Sequence, residues 1–357
     1  MEDIYFRCPT GVYIVDDSLL KIGEIIKKEG FTKVYLLYGN HLKKNGELEQ
    51  IIQSLIASGI EFEAQGGIKA NPDIEFVRAC TVEVKEYAPQ AILACGGGSV
   101  IDTAKSVANA YYYEGDPLDF NKKTAIPKKA LPVACLLTIA AAGSEMSDSC
   151  VISDYKTGFK GGFNSPTNRP KFTIMDAALT LEVSPFQTFC GIADIISHSF
   201  ERYFSPSVAD QLSDYLALAA IRECIDLAAV LKQNLKDIEA RRQLMLVSSF
   251  SHNGWTSFGK SKTRFPCHMV EHEMSGKYPA LPHGLGLRFL MPEFLHLNEE
   301  TLGEKIKKFN HFVFDVNDSS FIHLESFFDN TPLPKDLSEY GISKEELINY
   351  QKKLLLK

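Results

Sequence analysis

The 357-residue sequence lacks any continuous run of about 18 apolar residues, the length that a helix needs to cross a membrane. It also lacks a positive charge balance: its formal net charge is -7, so it would be repelled by the phosphate backbone of a nucleic acid. A basic-then-apolar secretory pattern is missing at the N-terminus, where acidic residues come early. We therefore expect no membrane span, no nucleic-acid partner and no secretory signal.

The eight cysteines contain no C-x-x-C pair, so no thiolate metal cluster is expected. Several lie in apolar stretches, such as Cys95 in AILAC and Cys135 in VACLL, which favours buried free thiols. Free thiols in a chain without a secretory pattern predict a cytoplasmic location.

Alternating strands and helices are predicted over the first half of the chain. AILACGGG and LPVACLLTIA are continuously apolar, which is typical of strands in a parallel sheet covered on both faces. The segments LLKIGEIIKKEG and ELEQIIQSLIASG have helical periodicity and each ends at a glycine, and a further helix is predicted to begin near Asn71-Pro72. The alternation predicts an α/β dinucleotide-binding domain over residues 1–176, with a doubly wound, mostly parallel sheet.

The pattern changes from about Asp176 onward. Ser184-Pro185 is a helix-start signal, and helical periodicity continues through DQLSDYLALAAIRECIDLAAVLKQ and ARRQLMLVSSFSHNGW. No convincing strand pattern follows. We expect an all-helical, metal-binding catalytic domain over residues 177–357.

Three consecutive glycines, Gly96, Gly97 and Gly98, follow a predicted strand and open a predicted helix. Without a Cβ they let backbone N–H groups approach a ligand, and the helix N-terminus adds partial positive charge. The motif is not the G-x-G-x-x-G fingerprint, yet a nucleotide pyrophosphate explains it better than a plain tight turn. Ser99 could bond a phosphate oxygen, while Asp102 could orient the turn, approach the nicotinamide or form a structural pair.

Four of the nine histidines fall in two segments, GIADIISHSFERYF and CHMVEHEMSGKYPALPHG. Asp194 and His198 are four residues apart and project from one face of a helix. Two imidazoles from the second segment would complete an N3O set for a divalent transition metal. His283 supplies one, and by spacing alone either His268 or His272 could supply the other. The histidine left over would be a natural proton relay, because imidazole titrates near neutrality.

Taken together, GGGSVIDTAKSVA, AAAGSEMSDSCVIS, GIADIISHSFE and HMVEHEMSGKYPALPHG resemble the iron-containing alcohol dehydrogenase family, whose fold is dehydroquinate synthase-like. The stretch NGWTSFGKSKTRFPCHMVEHEMSG is most similar to its butanol dehydrogenase branch. The resemblance extends from about Cys8 to Pro292. It implies that His272 is the non-ligand histidine near the nicotinamide, and that the metal ligands are Asp194, His198, His268 and His283.

The resemblance also implies nucleotide contacts that spacing does not assign. Thr138, Ser144 and Lys160 match nucleotide-contacting positions, and Leu179 matches one on the adenosine side. One departure lies nearby: residues 137–142 lack a proline and a threonine that are usual before GSE. Two further departures from the family pattern follow. The His272–His283 interval is one residue longer than expected, and the chain after His283 is shorter than is usual for the family.

Gly39 and Asn40, followed by His41, occupy the turn after the second predicted strand. In the family that this chain resembles, this turn chooses between NAD and NADP. An acidic residue there would bond the ribose 2′-hydroxyl and repel a 2′-phosphate. None is present, so NADP(H) is expected to be accepted and is favoured over NAD.

The expected function is interconversion of a primary alcohol and its aldehyde by a metal-dependent, NAD(P)(H)-linked oxidoreductase. Iron(II) is the metal that the resemblance implies, and zinc also suits an N3O set. A homodimer is implied as well. Two alternatives stay open: a catalytically silent nucleotide-binding protein, and a dehydroquinate synthase-like lyase on the same fold.

Three basic residues, Lys260, Lys262 and Arg264, lie just before His268. They could attract an anionic substrate, but solvated loop charges are the favoured interpretation.

Overall fold

The computed structural model describes residues 6–206, 211–260 and 263–355. The chain divides into two units. The α/β unit comprises Cys8–Ile139 and Ser144–Thr180. Of the described residues, the helical unit comprises Phe6 and Arg7, the short stretch Ala140–Gly143 and those from Leu181 onward. This division falls after Thr180 and gives residues 140–143 to the helical unit. The domain ranges expected from the sequence, 1–176 and 177–357, stay a prediction.

The α/β unit contains eight strands, and six of them form one parallel sheet in the order β1-β8-β5-β4-β2-β3. The other two, β6 and β7, pair as an antiparallel ribbon that the sequence analysis does not predict. The strands are β1 (Gly11–Ile14), β2 (Lys33–Tyr38), β3 (Glu61–Gln65), β4 (Ala91–Gly96), β5 (Val133–Leu137), β6 (Ser149–Asp154), β7 (Phe159–Asn164) and β8 (Phe172–Met175). The parallel sheet predicted from the apolar runs is confirmed.

The core of this unit lies along the central strands. Every residue of β4 and of β5 is buried, which explains why AILACG and VACLL are apolar without alternation. The two strands run side by side, and Gly96 pairs with Leu137 at their carboxyl ends. The glycine turn therefore leaves the sheet at the edge where doubly wound folds bind their ligands.

Six helices connect or flank these strands. They are α1 (Ser18–Lys28), α2 (Asn40–Lys44), α3 (Glu47–Ala57), α4 (Ile74–Tyr87), α5 (Gly98–Ala110) and α6 (Leu118–Asn121). The start predicted for α4 near Asn71-Pro72 is early by two residues, because Asp73 is the N-cap and accepts the Glu75 N–H at 3.1 Å. Pro72 lies in the preceding loop, where its carbonyl accepts the Ser153 N–H at 2.7 Å.

The described part of the helical unit contains helices and no strand, as predicted. Ser184 caps the first helix by accepting the Gln187 N–H at 3.2 Å, and Pro185 is its first residue. The helices are α7 (Pro185–Phe204), α8 (Gln211–Gln233), α9 (Ile238–His252), α10 (Pro266–Lys277), α11 (His283–Leu297), α12 (Glu299–Phe314), α13 (Ile322–Asp329) and α14 (Lys344–Gln351). Among the described residues, no helix has both the length and the apolarity that a bilayer crossing requires.

The cysteines match the expectation of free thiols. All eight are free, and six of them are buried. Cys95 and Cys135 lie in the adjacent core strands β4 and β5, where burial raises the pKa of each thiol.

Lys260 contradicts the interpretation of a solvated loop charge. Its side chain is fully buried, and its Nζ lies 2.6 Å from Asp214 Oδ1 and 2.6 Å from the Arg202 carbonyl near the end of α7. The ammonium thus pairs with a carboxylate and with a carbonyl at the negative end of a helix. Arg264 is exposed, and Lys262 lies outside the described residues.

Replacing Lys260 with Met should lower the free energy of unfolding by about 1.5–3 kcal/mol, because it removes a buried ammonium and leaves the partly buried Asp214 carboxylate without its nearest partner. Denaturant unfolding followed by circular dichroism measures the loss. Lys305 is the matched control: it is partly exposed and lies 3.8 Å from the other Asp214 oxygen. Lys305→Met should cost less than about 1 kcal/mol. Equal losses in the two variants would contradict the assignment of Lys260 as the buried partner.

Candidate metal centre and nucleotide-binding turn

Three helices of the helical unit bring the candidate metal ligands together. Helix α7 carries Asp194 and His198, α10 carries His268, and α11 begins at His283. The residue after His283 is Gly284, where a Cβ would lie only 1.9 Å from the Cys190 carbonyl oxygen on α7. A glycine is therefore required for the start of α11 to lie directly against α7.

The side chains converge on one carboxylate oxygen. Asp194 Oδ1 lies 3.7 Å from His268 Nε2 and 3.7 Å from His283 Nε2. It also lies 3.6 Å from His198 Nδ1, and the Nε2 atoms of His198 and His268 are 3.1 Å apart. Ligand atoms of Asp194, His268 and His283 all lie within 4.8 Å of one another. Spacing left His268 and His272 as alternatives, and the histidine that the fold brings to Asp194 is His268.

Two atoms of this cluster are buried without a hydrogen bond. Neither Asp194 Oδ1 nor His198 Nδ1 has a hydrogen-bond partner among the described residues. A buried carboxylate oxygen without a donor is costly, so this position fits a cation. One carboxylate and three imidazoles form a donor set that iron(II) or zinc accepts.

The surroundings shift the pKa values of His198 and His268 in opposite directions. Burial, together with the adjacent His252 and His268, holds the pKa of His198 well below its usual range, so this ring stays neutral and keeps one nitrogen lone pair for a metal. Burial also opposes protonation of His268, but the carboxylates of Glu201 and Asp194 outweigh it and raise the pKa of His268 to about 9. A metal ion would compete with that proton for the ring.

Two carboxylates missed by the sequence analysis orient the histidine rings. Glu201 Oε2 meets His268 Nδ1, and Glu271 Oε2 meets His283 Nδ1. Both glutamates are buried, and Glu201 Oε1 also accepts the Cys267 N–H at 2.5 Å. An imidazole whose Nδ1–H is bonded to a carboxylate presents Nε2 to a metal. The sequence did contain a signal for both glutamates. Glu201 lies three residues after His198 and Glu271 three residues after His268, so each glutamate shares a helix face with a candidate ligand.

His272 lies beside this group on α10. Its ring centroid is 5.5 Å from that of His283 and 6.4 Å from that of His268. It is partly exposed, unlike the buried His198 and His268. A neutral or protonated imidazole at this position can exchange a proton with a ligand held at the cluster.

In the α/β unit, the glycine turn joins β4 to α5. Gly97 is the residue before α5, and a Cβ there would lie 2.4 Å from Ile139 Cγ2. A larger residue at this position would thus have to displace the Ile139 side chain. At the start of α5 the Val100 and Ile101 N–H groups donate to the Gly97 carbonyl, whereas the N–H groups of Gly98 and Ser99 precede the first helical hydrogen bond and are suited to a phosphate.

Four of the residues predicted to contact a nucleotide lie around this turn: Ser99, Asp102, Thr138 and Ser144. The Thr138 N–H donates to the Gly96 carbonyl at 3.2 Å, and its hydroxyl is buried with no partner in the described part of the chain. The Ser144 hydroxyl donates to Asp102 Oδ1 at 2.5 Å. Ser99 donates its hydroxyl to the Ala70 carbonyl, so only its oxygen lone pairs remain for a ligand. The buried Thr138 hydroxyl is an unmet polar group that a bound nucleotide would satisfy.

The remaining predicted nucleotide contacts lie on separate elements of the same unit. The Gly39 N–H donates to the Cys95 carbonyl at 3.0 Å, which places the turn after β2 beside the end of β4. Asn40 opens α2, and its Oδ1 accepts the Gly67 N–H at 3.2 Å. Lys160 lies on the ribbon strand β7, and Leu179 packs against the sheet core.

Two models of one protein family match most of the chain. Residues 9–177 match the family model described as iron-containing alcohol dehydrogenase, and residues 188–353 match the Fe-containing alcohol dehydrogenase family, C-terminal. NADH-dependent butanol dehydrogenase A of Clostridium acetobutylicum is 35% identical over 353 residues, which cover 96% of this chain and 90% of that protein. NADPH-dependent aldehyde reductase YqhD of Escherichia coli is 27% identical, with 99% of this chain and 93% of that protein covered.

The fold matches that of a solved structure. The crystal structure of NADH-dependent butanol dehydrogenase A from Thermotoga maritima has a TM-score of 0.93 and 31% identity, and it covers 99% of this chain and 90% of that one. The two family models together match the chain on both sides of residue 180. The chain belongs to the iron-containing alcohol dehydrogenase family.

Proposed function

We propose that this protein is a metal-dependent, NAD(P)(H)-linked oxidoreductase that interconverts a primary alcohol and its aldehyde. The observation that carries the proposal is the buried Asp194 oxygen, which has no hydrogen-bond partner among the described residues and is surrounded by the nitrogens of three imidazoles. Relatives named as butanol dehydrogenases and as an aldehyde reductase support it.

Asp194, His198, His268 and His283 would hold the metal. A bound divalent cation supplies Lewis-acid polarisation of the substrate oxygen. The chain's own contribution is to fix the donor set: Glu201 and Glu271 orient two of the rings, and burial keeps His198 unprotonated. Iron(II) is proposed as the resident metal because the family model is iron-containing, and zinc is the alternative.

The α/β unit would hold the nucleotide. The N–H groups that follow the glycine turn Gly96–Gly98 would bind the pyrophosphate. A bound nicotinamide accepts or supplies the hydride. Ser99, Asp102, Thr138 and Ser144 would contact the nucleotide near the turn, with Gly39, Asn40, Lys160 and Leu179 contacting it elsewhere. NADP(H) is proposed over NAD(H), because no acidic side chain stands at residues 39–41 to repel a 2′-phosphate.

His272 would move the proton. Its ring lies next to that of His283 and is partly exposed, so it can pass a proton between the substrate oxygen and solvent. A cytoplasmic location is proposed from the six buried free thiols, since a reducing compartment keeps such groups free. The homodimer stays a proposal that rests on the family resemblance.

The central test is steady-state turnover of the iron-loaded and zinc-loaded protein with a series of aldehydes and alcohols, using NADH and NADPH in parallel. Nicotinamide absorbance should show net consumption, with a higher kcat/KM for NADPH than for NADH. His268→Ala should lose bound metal and activity together, as metal analysis of the same samples will report. Nucleotide that binds without reacting would instead indicate a silent binding protein.

His272→Ala should keep its metal while kcat falls by about 100-fold or more, the usual contribution of a positioned general acid or base. Stopped-flow turnover and metal analysis of the same preparation give both quantities. His311→Ala, which alters an exposed histidine on α12, is the control and should leave kcat unchanged. Full turnover in His272→Ala would reject the proton-transfer role.

Glu201→Gln should weaken metal binding by about 10- to 100-fold, since Glu201 uses both oxygens as acceptors and a neutral amide keeps only one. Calorimetric titration of the metal-free protein with zinc measures the change without reference to activity. Glu273→Gln is the matched control: Glu273 lies on α10, the helix that carries His268, but it is at the surface and pairs with Lys353. An unchanged dissociation constant for zinc in Glu201→Gln would show that Glu201 does not orient a ligand.

A further inference from the structure

Lys105 is a fully buried lysine on α5, the helix that the glycine turn opens. Its Nζ lies 2.8 Å from Ser144 Oγ and 2.8 Å from the Ser149 carbonyl. The Ser147 carbonyl and hydroxyl lie at 3.2 and 3.3 Å. An ammonium carries three N–H donors, so these acceptors can satisfy it without water. A buried ammonium with this many acceptors fixes the segment that supplies them.

The main consequence is for Ser144. Its oxygen accepts from Lys105, and its hydrogen is donated to Asp102 Oδ1 at 2.5 Å. The other Asp102 oxygen accepts the Val151 N–H at 2.9 Å. A hydroxyl has one hydrogen and two lone pairs, so Ser144 retains one lone pair in a defined direction. That lone pair can accept from a ribose hydroxyl or from the carboxamide N–H of a nicotinamide, but it cannot donate to a phosphate.

Lys105 also offsets the charge of Asp102. Its Nζ lies 3.8 Å from Asp102 Oδ1, and Asp102 lies about one turn into the helix whose N-terminus would bind pyrophosphate. An uncompensated carboxylate near that terminus would repel an anionic ligand.

The segment that contains Ser144 has a second anchor. Arg169 Nη1 donates to the Met146 carbonyl at 2.7 Å, and Arg169 Nη2 lies 3.1 Å from Asp148 Oδ2. Loss of Lys105 would therefore leave residues 146–148 held while Ser144 loses the donor that fixes its hydroxyl. We expect a local displacement rather than loss of the fold.

We propose that Lys105 is a positioning residue of the nucleotide site, which holds the Ser144 hydroxyl as an acceptor for the nucleotide and balances the charge of Asp102. The proposal rests on the proposed function, in which Ser144 and Asp102 contact NADP(H). Lys105 itself is buried and acts only through these two side chains.

The test compares Lys105→Met and Lys105→Gln with the wild type, using the dissociation constant for NADPH measured by nucleotide fluorescence on the metal-loaded protein. Both variants should bind NADPH about tenfold more weakly, the effect of losing a hydrogen bond to a charged group, with Met affected at least as much as Gln. The content of metal should not change, because all four proposed ligands belong to the helical unit.

Lys260→Met is the matched control, since it removes another fully buried lysine, but one in the helical unit. It should lower thermal stability and leave the dissociation constant for NADPH unchanged. Wild-type affinity in folded Lys105 variants would overturn the proposal, and so would an equal loss of affinity in Lys260→Met. Failure of both Lys105 variants to fold would show a structural role and overturn it too. Failure of the wild-type protein to bind NADPH or NADH would overturn the proposed function instead.

Discussion

The buried carboxylate of Asp194 is the constraint on which the helical unit depends. Its Oδ1 is removed from water and has no hydrogen-bond donor among the described residues, so a positive charge at this point stabilises it. Three imidazoles from three helices face it, and a metal held here would need one inward-directed lone pair from each ring. The close packing of α11 on α7 at Gly284 brings His283 into this group.

The residues around Asp194 carry further charges that must also be balanced. Glu201 and Glu271 contact the outer nitrogens of His268 and His283, so the group contains three carboxylates. Arg202 is buried nearby, where its Nη1 donates to the His198 carbonyl at 2.9 Å. When the three carboxylates are ionised, a divalent cation and this guanidinium together match their charge. A monovalent cation would leave the buried group negative, which a low-dielectric interior disfavours.

A buried ammonium needs an acceptor for each of its N–H groups, and two buried lysines of this protein meet that need with different effects. Lys260 pairs with Asp214 and with a carbonyl near the end of α7, and it stabilises the packing of two helices. Lys105 is bonded to a loop that carries a predicted nucleotide contact, so its charge fixes the direction of a hydroxyl. In each case burial makes every hydrogen bond of the ammonium necessary. The difference lies in the acceptors that the fold supplies.

Features that depend on neighbours in the chain could be predicted from the sequence. The parallel sheet followed from continuous apolar runs, the start of α7 from Ser184-Pro185, and the shared helix face of Asp194 and His198 from their spacing. The glycine turn was recognisable because three successive residues without Cβ atoms signal a close backbone approach. The family resemblance added residue roles, such as that of Thr138, that no spacing rule provides.

Other features were decided by packing between distant segments. Spacing left His268 and His272 equivalent, and the rotation of α10 against α7 placed His268 at Asp194. The same packing brings Glu201 into contact with His268. Lys260, which the sequence alone suggested was a solvated loop charge, is buried and forms an ion pair with Asp214. The sequence by itself determined the elements and the chemical types of the donors, because periodicity and side-chain chemistry are local properties. Only the tertiary structure decided which donors meet, because that depends on how whole helices are oriented when their apolar faces are buried.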